Sequence, residues 1–284
     1  MATISDVIAG RQRWAVVASD AIDFMKSLPD DSVDLLLTSP PYEDARTYGL
    51  ETARRGQAWV DWIHALVRES HHKVKGLIAI VCEGRTKNFK YSATPMLLGA
   101  DLHRAGYNLR KPIAFHRKGI FGGGGPDWLR NDWENIICVT RAGKLPWSDN
   151  TACGHEPIYP PGGPPSHRTA GTRGSKNGDT RVQRKYKPPK LANPGNVIKC
   201  VVGGGHMGHP LASENEAPFP LKLAEFFVKS FCRTDGVVCD PFAGSSTTAH
   251  ASVIHGRRFI GCDLRECQVE LSKQRMASIE PQGA

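Results

Sequence analysis

The segment Leu37-Thr38-Ser39-Pro40-Pro41-Tyr42 directly follows an apolar run at residues 33–37. A short β-rich run that stops at a double proline is typical of a buried strand ending in a stiff loop. Neither proline has a backbone N–H, so the loop carbonyls are not used up in a sheet. A hydroxyl (Ser39), a rigid carbonyl and an aromatic ring (Tyr42) therefore project together from the strand end. The set suits a flat, polar, aromatic ligand with an amino group, although Ser-Pro-Pro alone also fits an ordinary turn.

A second motif lies in residues 237–263, where a strand, a small-residue turn, a helix and another strand follow one another. Its turn reads Asp240-Pro241-Phe242-Ala243-Gly244-Ser245-Ser246-Thr247-Thr248, and Asp263 closes the second strand. Such a unit offers backbone N–H groups at a helix N-terminus to an anionic group, and its terminal carboxylate can accept hydrogen bonds from a ribose. The Asp263 spacing does not distinguish a dinucleotide from another adenosine cofactor.

Apolar runs of strand length alternate with segments of helical periodicity along most of the chain. Residues 58–74 have helical spacing, with Gly76 expected to end that helix, and the continuous apolar run 77–82 is typical of a central parallel strand. The alternation predicts an α/β fold with a doubly wound, mostly parallel sheet.

A basic, loop-rich stretch interrupts this alternation. Residues 141–199 carry 11 Lys and Arg against 3 Asp and Glu, which is most of the net charge of +9 on the 284 residues. They also hold 9 of the 20 prolines, with Trp147, Tyr159, His167 and Tyr186 interleaved among the basic residues. Aromatic and basic side chains together serve base stacking and phosphate contact, so the stretch predicts a nucleic-acid recognition insert. A disordered basic linker is the alternative.

The eight cysteines are scattered and form no Cys-x-x-Cys pair. Several, such as Cys138 and Cys239, lie in apolar runs, which indicates small buried residues in a reducing compartment rather than a disulfide framework or a zinc site. The N-terminal residues show no secretory pattern, and no apolar run approaches the length of a membrane span. We therefore expect a cytoplasmic protein without a structural metal.

Taken together, the Leu-Thr-Ser-Pro-Pro-Tyr and Asp-Pro-Phe-Ala-Gly-Ser-Ser-Thr-Thr segments resemble the amino-group DNA methyltransferases, which use S-adenosylmethionine. The order of the motifs, catalytic first, basic insert next and cofactor last, matches the β-class of that family. The resemblance implies a Rossmann-like methyltransferase fold. It divides the chain into a catalytic half at residues 1–140, a target-recognition insert at 141–196 and a cofactor-binding half at 197–284.

The resemblance also implies which residues are catalytic and which bind the cofactor. The catalytic loop would consist of Ser39, Pro40, Pro41 and Tyr42. The cofactor site would consist of Asp20, Asp240, Phe242, Gly244, Ser245 and Asp263. In this assignment Asp263 holds the ribose hydroxyls and Asp20 lies near the adenine. One departure concerns Ser246, which stands where the family usually has a second glycine and whose side chain we expect to crowd the cofactor.

The activity implied is site-specific methylation of the exocyclic amino group of a base flipped out of double-stranded DNA. Ser at the first loop position, after Thr, most often accompanies cytosine N4 in this family, with adenine N6 as the alternative. Cytosine C5 chemistry is disfavoured because no cysteine follows a proline. Two competing hypotheses are an inactive DNA-binding protein on the same fold and a nicotinamide-dependent oxidoreductase. The sequence leaves a homodimer and a cognate restriction endonuclease open.

Two further features have more than one explanation. Glu134 resembles an acidic position of the family, but a local salt bridge explains it equally well. The four glycines at 122–125, near Trp128 and Trp133, form either a lid over the target base or a flexible connection.

Overall fold

The computed structural model describes residues 3–43, 54–119, 124–157, 190–203, 205–214 and 218–279. The strands in these residues are β1 (Trp14–Ala18), β2 (Val33–Thr38), β3 (Val74–Cys82), β4 (Thr86–Lys87), β5 (Lys90–Tyr91), β6 (Asn108–Leu109), β7 (Ile113–Lys118), β8 (Trp133–Thr140), β9 (Val197–Val201), β10 (Val237–Asp240) and β11 (Arg258–Asp263). The α-helices are α1 (Ile4–Ile8), α2 (Ala21–Ser27), α3 (Gln57–Lys73), α4 (Thr94–Arg104), α5 (Leu221–Phe231), α6 (Thr247–Ile254) and α7 (Glu266–Ala277). One 3-10 helix spans Pro210–Glu214.

One large sheet has the strand order β1-β11-β10-β2-β3-β8-β7-β9, with β6 paired to β8. The five strands from β1 to β3 in this order are parallel, β8 is antiparallel to both of its main neighbours, and β7 and β9 are parallel to each other. Strands β4 and β5 form a separate hairpin. The predicted α/β fold with a mostly parallel sheet is confirmed.

Helices cover both faces of the sheet, as buried parallel strands require. Helices α1 to α4 pack on one face, where Phe24, Trp59, Ile63 and Leu98 are buried. Helices α5 to α7 pack on the other face, where Leu223, Phe227, Val253 and Met276 are buried. The core therefore has three layers, with the sheet in the middle.

The predicted end of the third helix is wrong. Helix α3 stops at Lys73, and Val74 already begins β3, so Gly76 lies inside a strand and does not cap a helix. A Cβ on Gly76 would lie 1.9 Å from the backbone oxygen of Asp34 in the neighbouring strand. Glycine is needed here because two backbones approach closely, at a register irregularity of β2 against β3.

The carboxyl ends of the parallel strands lie along one edge of the sheet, here called the carboxyl edge. Across this edge, in spatial order, follow Asp20 after β1, Asp263 at the end of β11, Asp240 at the end of β10, Ser39 after β2 and Glu83 after β3. Open α/β sheets bind ligands at this edge. The two motifs, some 200 positions apart in sequence, are thus neighbours in space.

Most of the predicted recognition insert lies outside the described residues. Its described ends are attached to the core: the Asp149 N–H donates to the Ser230 carbonyl of α5 at 2.9 Å, and His155 and Ala192 pair their backbones. The roles of the three chain segments stay predictions. Among the described helices, none is both long and apolar enough to cross a membrane.

All eight cysteines lie in described parts of the chain and are free thiols. Cys138 and Cys239 are buried, as expected from their apolar neighbours, whereas Cys267 is exposed. Burial raises the pKa of the Cys138 thiol to about 12, so this side chain behaves as a small uncharged core residue.

Candidate active site

Asp240 joins the two sequence motifs. One of its carboxylate oxygens accepts hydrogen bonds from the Thr38 hydroxyl at 2.7 Å and the Phe242 N–H at 3.0 Å, and the other accepts from the Thr248 hydroxyl at 2.7 Å. Burial raises the pKa of Asp240 to about 6, against the opposing effect of the three donors. A carboxylate with all these partners acts as a clamp that holds the end of β2 against the turn after β10.

The loop at residues 39–42, predicted to be catalytic, begins directly beyond this clamp. Ser39 and Tyr42 are half-buried and Pro40 is buried. The indole N–H of Trp59 in α3 donates to the Pro41 carbonyl at 2.8 Å, which fixes the second proline. Among the described residues, none donates a hydrogen bond to the Pro40 carbonyl. The loop therefore keeps one hydroxyl and one rigid carbonyl as acceptors, and their part in catalysis stays a prediction.

The hydroxyl of Tyr42 lies between the catalytic loop and a buried carboxylate. It is 3.4 Å from the Ser39 hydroxyl and donates to Glu134 Oε2 at 2.7 Å, while Arg117 pairs with Glu134 Oε1 at 2.9 Å. Burial raises the pKa of Glu134, although Arg117 opposes this rise, and burial together with the Glu134 charge raises the pKa of Tyr42 well above its usual value. Glu134 does form the local salt bridge, and it also orients the catalytic-loop tyrosine.

Glu83, at the end of β3, is a second buried carboxylate that sequence reasoning missed. It accepts hydrogen bonds from the Tyr91 hydroxyl at 2.7 Å, the Asn135 amide at 2.9 Å and the Gly84 N–H at 3.0 Å. Asn135 directly follows Glu134 in β8. The acidic residue after the apolar run of β3 was the signal that could have identified it, because Glu83 also stands at a parallel strand end.

The turn after β10 brings Gly244 and Asp263 together. The Gly244 N–H donates to Asp263 Oδ2 at 3.1 Å, and the Arg265 N–H donates to Oδ1 at 3.0 Å. Gly244 has φ +48° and Ser246 has φ +61°, so both occupy the left-handed region. The Ser246 hydroxyl donates to Ser272 of α7 at 2.8 Å and is fully buried. Its hydroxyl is thus engaged inside the protein, which explains how serine is accommodated in place of glycine.

Arg275 of α7 binds the same turn from the core side, and sequence reasoning did not identify it. It is fully buried, donates to the Ser245 carbonyl at 2.8 Å and to the Thr247 hydroxyl at 3.1 Å, and reaches the Met207 carbonyl and His250 Nδ1. Burial lowers its pKa to about 10 and lowers that of His250 to about 4. The predicted cofactor residue Ser245 is itself buried, and its carbonyl binds this guanidinium.

The remaining predicted residues flank the carboxyl edge. Asp20 caps α2, where its Oδ1 accepts from the Ile22 and Asp23 N–H groups at 2.8 and 3.2 Å. Phe242 packs edge-to-face on Trp62 of α3, with ring centroids 5.3 Å apart. Within the described parts of the chain, no group of three or more His, Cys, Asp or Glu residues is arranged to hold a metal ion.

A family model described as DNA methylase, N6_N4_Mtase, matches residues 33–274. The chain belongs to this family. The match spans both motifs and the insert between them. S-adenosylmethionine is therefore the cofactor, and DNA methylation at an exocyclic amino group is the family's reaction.

Curated relatives that the chain matches over most of its length are named DNA or type II methyltransferases. The chain is 22% identical to the DNA adenine methyltransferase YhdJ of Escherichia coli K12, covering 94% of this chain and 84% of YhdJ. It is 24% identical to the type II methyltransferase M.PvuII of Proteus hauseri, covering 90% and 81%. Both relatives are thus named methyltransferases, and only the name of YhdJ gives a target base.

Solved structures share the fold. The PvuII cytosine-N4-specific DNA methyltransferase superposes with a TM-score of 0.69 at 17% identity, covering 96% of this chain and 89% of that one. The Thermus thermophilus protein TTHA0409 in complex with S-adenosyl-L-methionine superposes with a TM-score of 0.59 at 25% identity, covering 94% and 93%.

The chemistry of the carboxyl edge fits this cofactor. Asp263 accepts from two backbone N–H groups and lies 3.7 Å from the Arg265 guanidinium, and its oxygens keep further acceptor capacity because each has two lone pairs. Asp20 keeps one oxygen that its helix cap does not use. Acceptors of this kind suit ribose hydroxyls and an adenine amino group. The aromatic ring of Phe242 stands beside the same turn.

Proposed function

We propose that this DNA methylase modifies the N4 amino group of cytosine. The observation that carries the proposal is the Ser39 hydroxyl and the Pro40 carbonyl beside the Asp240 clamp, at the strand end adjoining the cofactor turn. In this family a serine at the first loop position, after a threonine, most often accompanies cytosine N4 chemistry. The comparison with M.PvuII also supports this choice, because the solved PvuII DNA methyltransferase is named as cytosine-N4-specific.

The loop would activate a poor nucleophile. The lone pair of an exocyclic amino group is delocalised into the ring, so the nitrogen attacks weakly. Acceptance of its two hydrogens by the Ser39 hydroxyl and the Pro40 carbonyl favours pyramidalisation and turns the lone pair toward the methyl donor. S-adenosylmethionine would supply the methyl group from its sulfonium and leave as the neutral thioether S-adenosylhomocysteine, while the methylated nitrogen would release one of its two protons to solvent. The protein's contribution is then positioning and electrostatics, with no covalent intermediate on the chain.

The residues divide into substrate and cofactor roles. Ser39, Pro40, Pro41 and Tyr42 would hold the flipped base, with the Tyr42 ring stacking on it while the Tyr42 hydroxyl stays bound to Glu134. The cofactor would be held by Asp20, Phe242, Gly244 and Asp263. Asp240 and Ser245 would act through the backbone of the turn, because their polar atoms are bound to protein groups.

Sequence choice is assigned to residues 141–196, whose basic and aromatic composition suits double-stranded DNA. We propose the halves at 1–140 and 197–284 as the catalytic and cofactor-binding parts of one core. A homodimer and a cognate restriction endonuclease remain predictions.

Adenine N6 is the second candidate because the relative YhdJ is named an adenine methyltransferase and covers most of this chain. The same two acceptors can hold the adenine amino group. The feature that favours cytosine is serine at the first loop position, where Asp or Asn most often accompanies adenine N6 in this family.

Product identification decides between the two bases. Plasmid DNA lacking prior methylation is incubated with the protein and S-adenosylmethionine, digested to nucleosides and examined by mass spectrometry. We expect N4-methylcytosine. N6-methyladenine as the only product would overturn the base assignment, and no methylated nucleoside would support the hypothesis of an inactive DNA-binding protein.

A further inference from the structure

The β4–β5 hairpin and the nearby residues 124–131 place apolar side chains in solvent. Phe89 at the hairpin tip is 71% exposed, and Leu129 is 93% exposed. The rings of Phe89 and Trp128 pack edge-to-face with centroids 5.4 Å apart, which joins the two segments. Phe89, Trp128 and Leu129, together with Lys87 and Lys90, are called the hairpin surface below. Clustered exposed apolar side chains mark an interaction site more often than scattered ones do.

The hairpin turn itself is strained. Asn88 has φ +50° and Phe89 has φ +61°, the pattern of a two-residue turn in which the second position favours glycine. A bulky aromatic residue in this conformation costs conformational energy. Because Phe89 is also exposed, its ring gains little from burial in return, so folding alone does not explain its presence.

Hydrogen bonds tie the hairpin to the catalytic loop. The Tyr91 hydroxyl in β5 binds Glu83, which also binds Asn135 in β8. The preceding residue, Glu134, binds the hydroxyl of Tyr42. A Cβ on Gly84 would meet the Tyr91 ring at 2.8 Å, so the ring lies directly on the backbone. The hairpin surface is thus held at the carboxyl edge, beside the loop that receives the base.

The charge of the hairpin indicates its partner. Residues 84–92 contain Arg85, Lys87 and Lys90 and no acidic residue, and all three basic residues are exposed. Basic side chains around an exposed aromatic tip suit a polyanion with stacked bases. An apolar wedge between base steps lowers the cost of extruding the neighbouring nucleotide.

We propose that the hairpin surface contacts duplex DNA next to the extruded base, with Phe89 and Leu129 entering the base stack and Lys87 and Lys90 binding phosphates. This inference rests on the proposed function, because it assumes that a base leaves the duplex at the catalytic loop. It adds a second DNA contact, separate from the recognition insert.

Two variants test the proposal. Phe89→Gly removes the ring but suits the turn, so the fold should be kept or stabilised while methyl transfer to plasmid DNA falls about tenfold through lost stacking. Lys87→Glu/Lys90→Glu should weaken binding to a fluorescent duplex cut from that plasmid. The slope of log affinity against log salt should become shallower by about two, one for each lost phosphate contact.

A matched charge control comes from the opposite end of the sheet. Lys26 is exposed and lies at the end of α2, on the side where the parallel strands begin. Lys26→Glu should behave as the unmodified protein in both assays.

The outcomes separate the inference from the proposed function. If the unmodified protein methylates the plasmid but both hairpin variants match it in rate, affinity and salt slope, the inference is wrong and the function stands. If the unmodified protein methylates no DNA, the proposed function fails. Even then, weaker duplex binding by Lys87→Glu/Lys90→Glu, with binding by the control unchanged, would support the hairpin surface as a DNA contact.

Discussion

The carboxyl edge has two sides that are built differently. On the β10–β11 side, the turn is held from within the core, where Ser246 bonds Ser272 and Arg275 donates to the Ser245 carbonyl. The carboxylate of Asp263 also accepts from the Gly244 N–H of this turn. On the β2–β3–β8 side, the catalytic loop is held by the carboxylates Glu83 and Glu134, whose partners reach the surface. The turn that we propose to bind the cofactor is therefore enclosed by the core. The loop that we propose as catalytic is connected to the surface that we expect to meet DNA.

Asp240 is the one buried carboxylate described here that serves both sides, because it binds Thr38 of β2 as well as Phe242 and Thr248 beyond β10. A defect at Asp240 should therefore damage cofactor binding and catalysis together. A substitution confined to the β10–β11 side should weaken cofactor binding alone, and one confined to the β2–β3–β8 side should lower the methyl-transfer rate alone. The predictions below follow from this difference.

Asp240→Ala should have the largest effect. It leaves two hydroxyls and one N–H without their buried acceptor, so we expect a loss of about 3 kcal/mol or more in the free energy of unfolding. Cofactor affinity and methyl-transfer rate should both fall, the rate by at least about a hundredfold. Thermal unfolding, calorimetry with S-adenosylmethionine and a rate assay measure the three quantities. Normal cofactor affinity in the folded variant would show that Asp240 serves only one side.

Asp263→Ala should affect the cofactor side alone. Loss of one or two charge-assisted hydrogen bonds should weaken S-adenosylmethionine binding by about tenfold to a hundredfold, with little change in DNA affinity. Calorimetry measures the first effect and fluorescence anisotropy of labelled duplex the second. Asp23→Ala, an exposed carboxylate on α2, is the matched control. Unchanged cofactor affinity would remove Asp263 from the site.

Tyr42→Phe and Tyr91→Phe form a matched pair on the catalytic side, since each removes a 2.7 Å hydrogen bond to a buried glutamate. Tyr42→Phe should lower the single-turnover rate by about tenfold, because the catalytic loop loses its tie to Glu134. Tyr91→Phe should instead raise the DNA concentration needed for half-maximal rate. Identical kinetic defects in the two variants would contradict separate roles for the loop and the hairpin.

A graded effect is expected for pH. Folded Asp240 keeps its proton up to about pH 6, whereas the unfolded chain loses it near 3.8. Between these values the folded state binds more protons, so this group lowers stability as pH rises, by up to about 3 kcal/mol in all. His250, with its pKa lowered to about 4 from 6.5, acts in the opposite direction. The unfolding free energies of Asp240→Asn and of the unmodified protein are measured across this pH range. The pH dependence of their difference gives the contribution of Asp240. A flat difference would show that the pKa of Asp240 is not raised in the folded state.

Sequence reasoning located the strand ends but not the side-chain contacts that hold the loops after them in place. Apolar runs and breaker residues identify β2, β10 and β11, and parallel strand ends share an edge, so the meeting of Ser39 and Asp263 near Asp240 was predictable. Contacts from distant elements carry no such local pattern. Arg275 lies in the last described helix, 30 positions beyond the Ser245 carbonyl that it binds, and nothing in its sequence neighbourhood marks it as buried.

Local signals also misled where backbone geometry decided the outcome. Gly76 looked like a helix stop, but β2 and β3 approach too closely there for a side chain. The β4–β5 hairpin was missed because its strands have two residues each and its turn carries Phe89 where glycine is the usual signal.

Ser39→Ala gives the most direct test of the catalytic assignment. The methyl-transfer rate in a single turnover is measured on plasmid DNA, and the affinities for S-adenosylmethionine and for duplex DNA are measured on the same preparation. If Ser39 accepts a hydrogen of the target amino group, the rate should fall by about a hundredfold or more while both affinities stay within about twofold. An unchanged rate would contradict the role of Ser39, and with it the proposed chemistry of the loop.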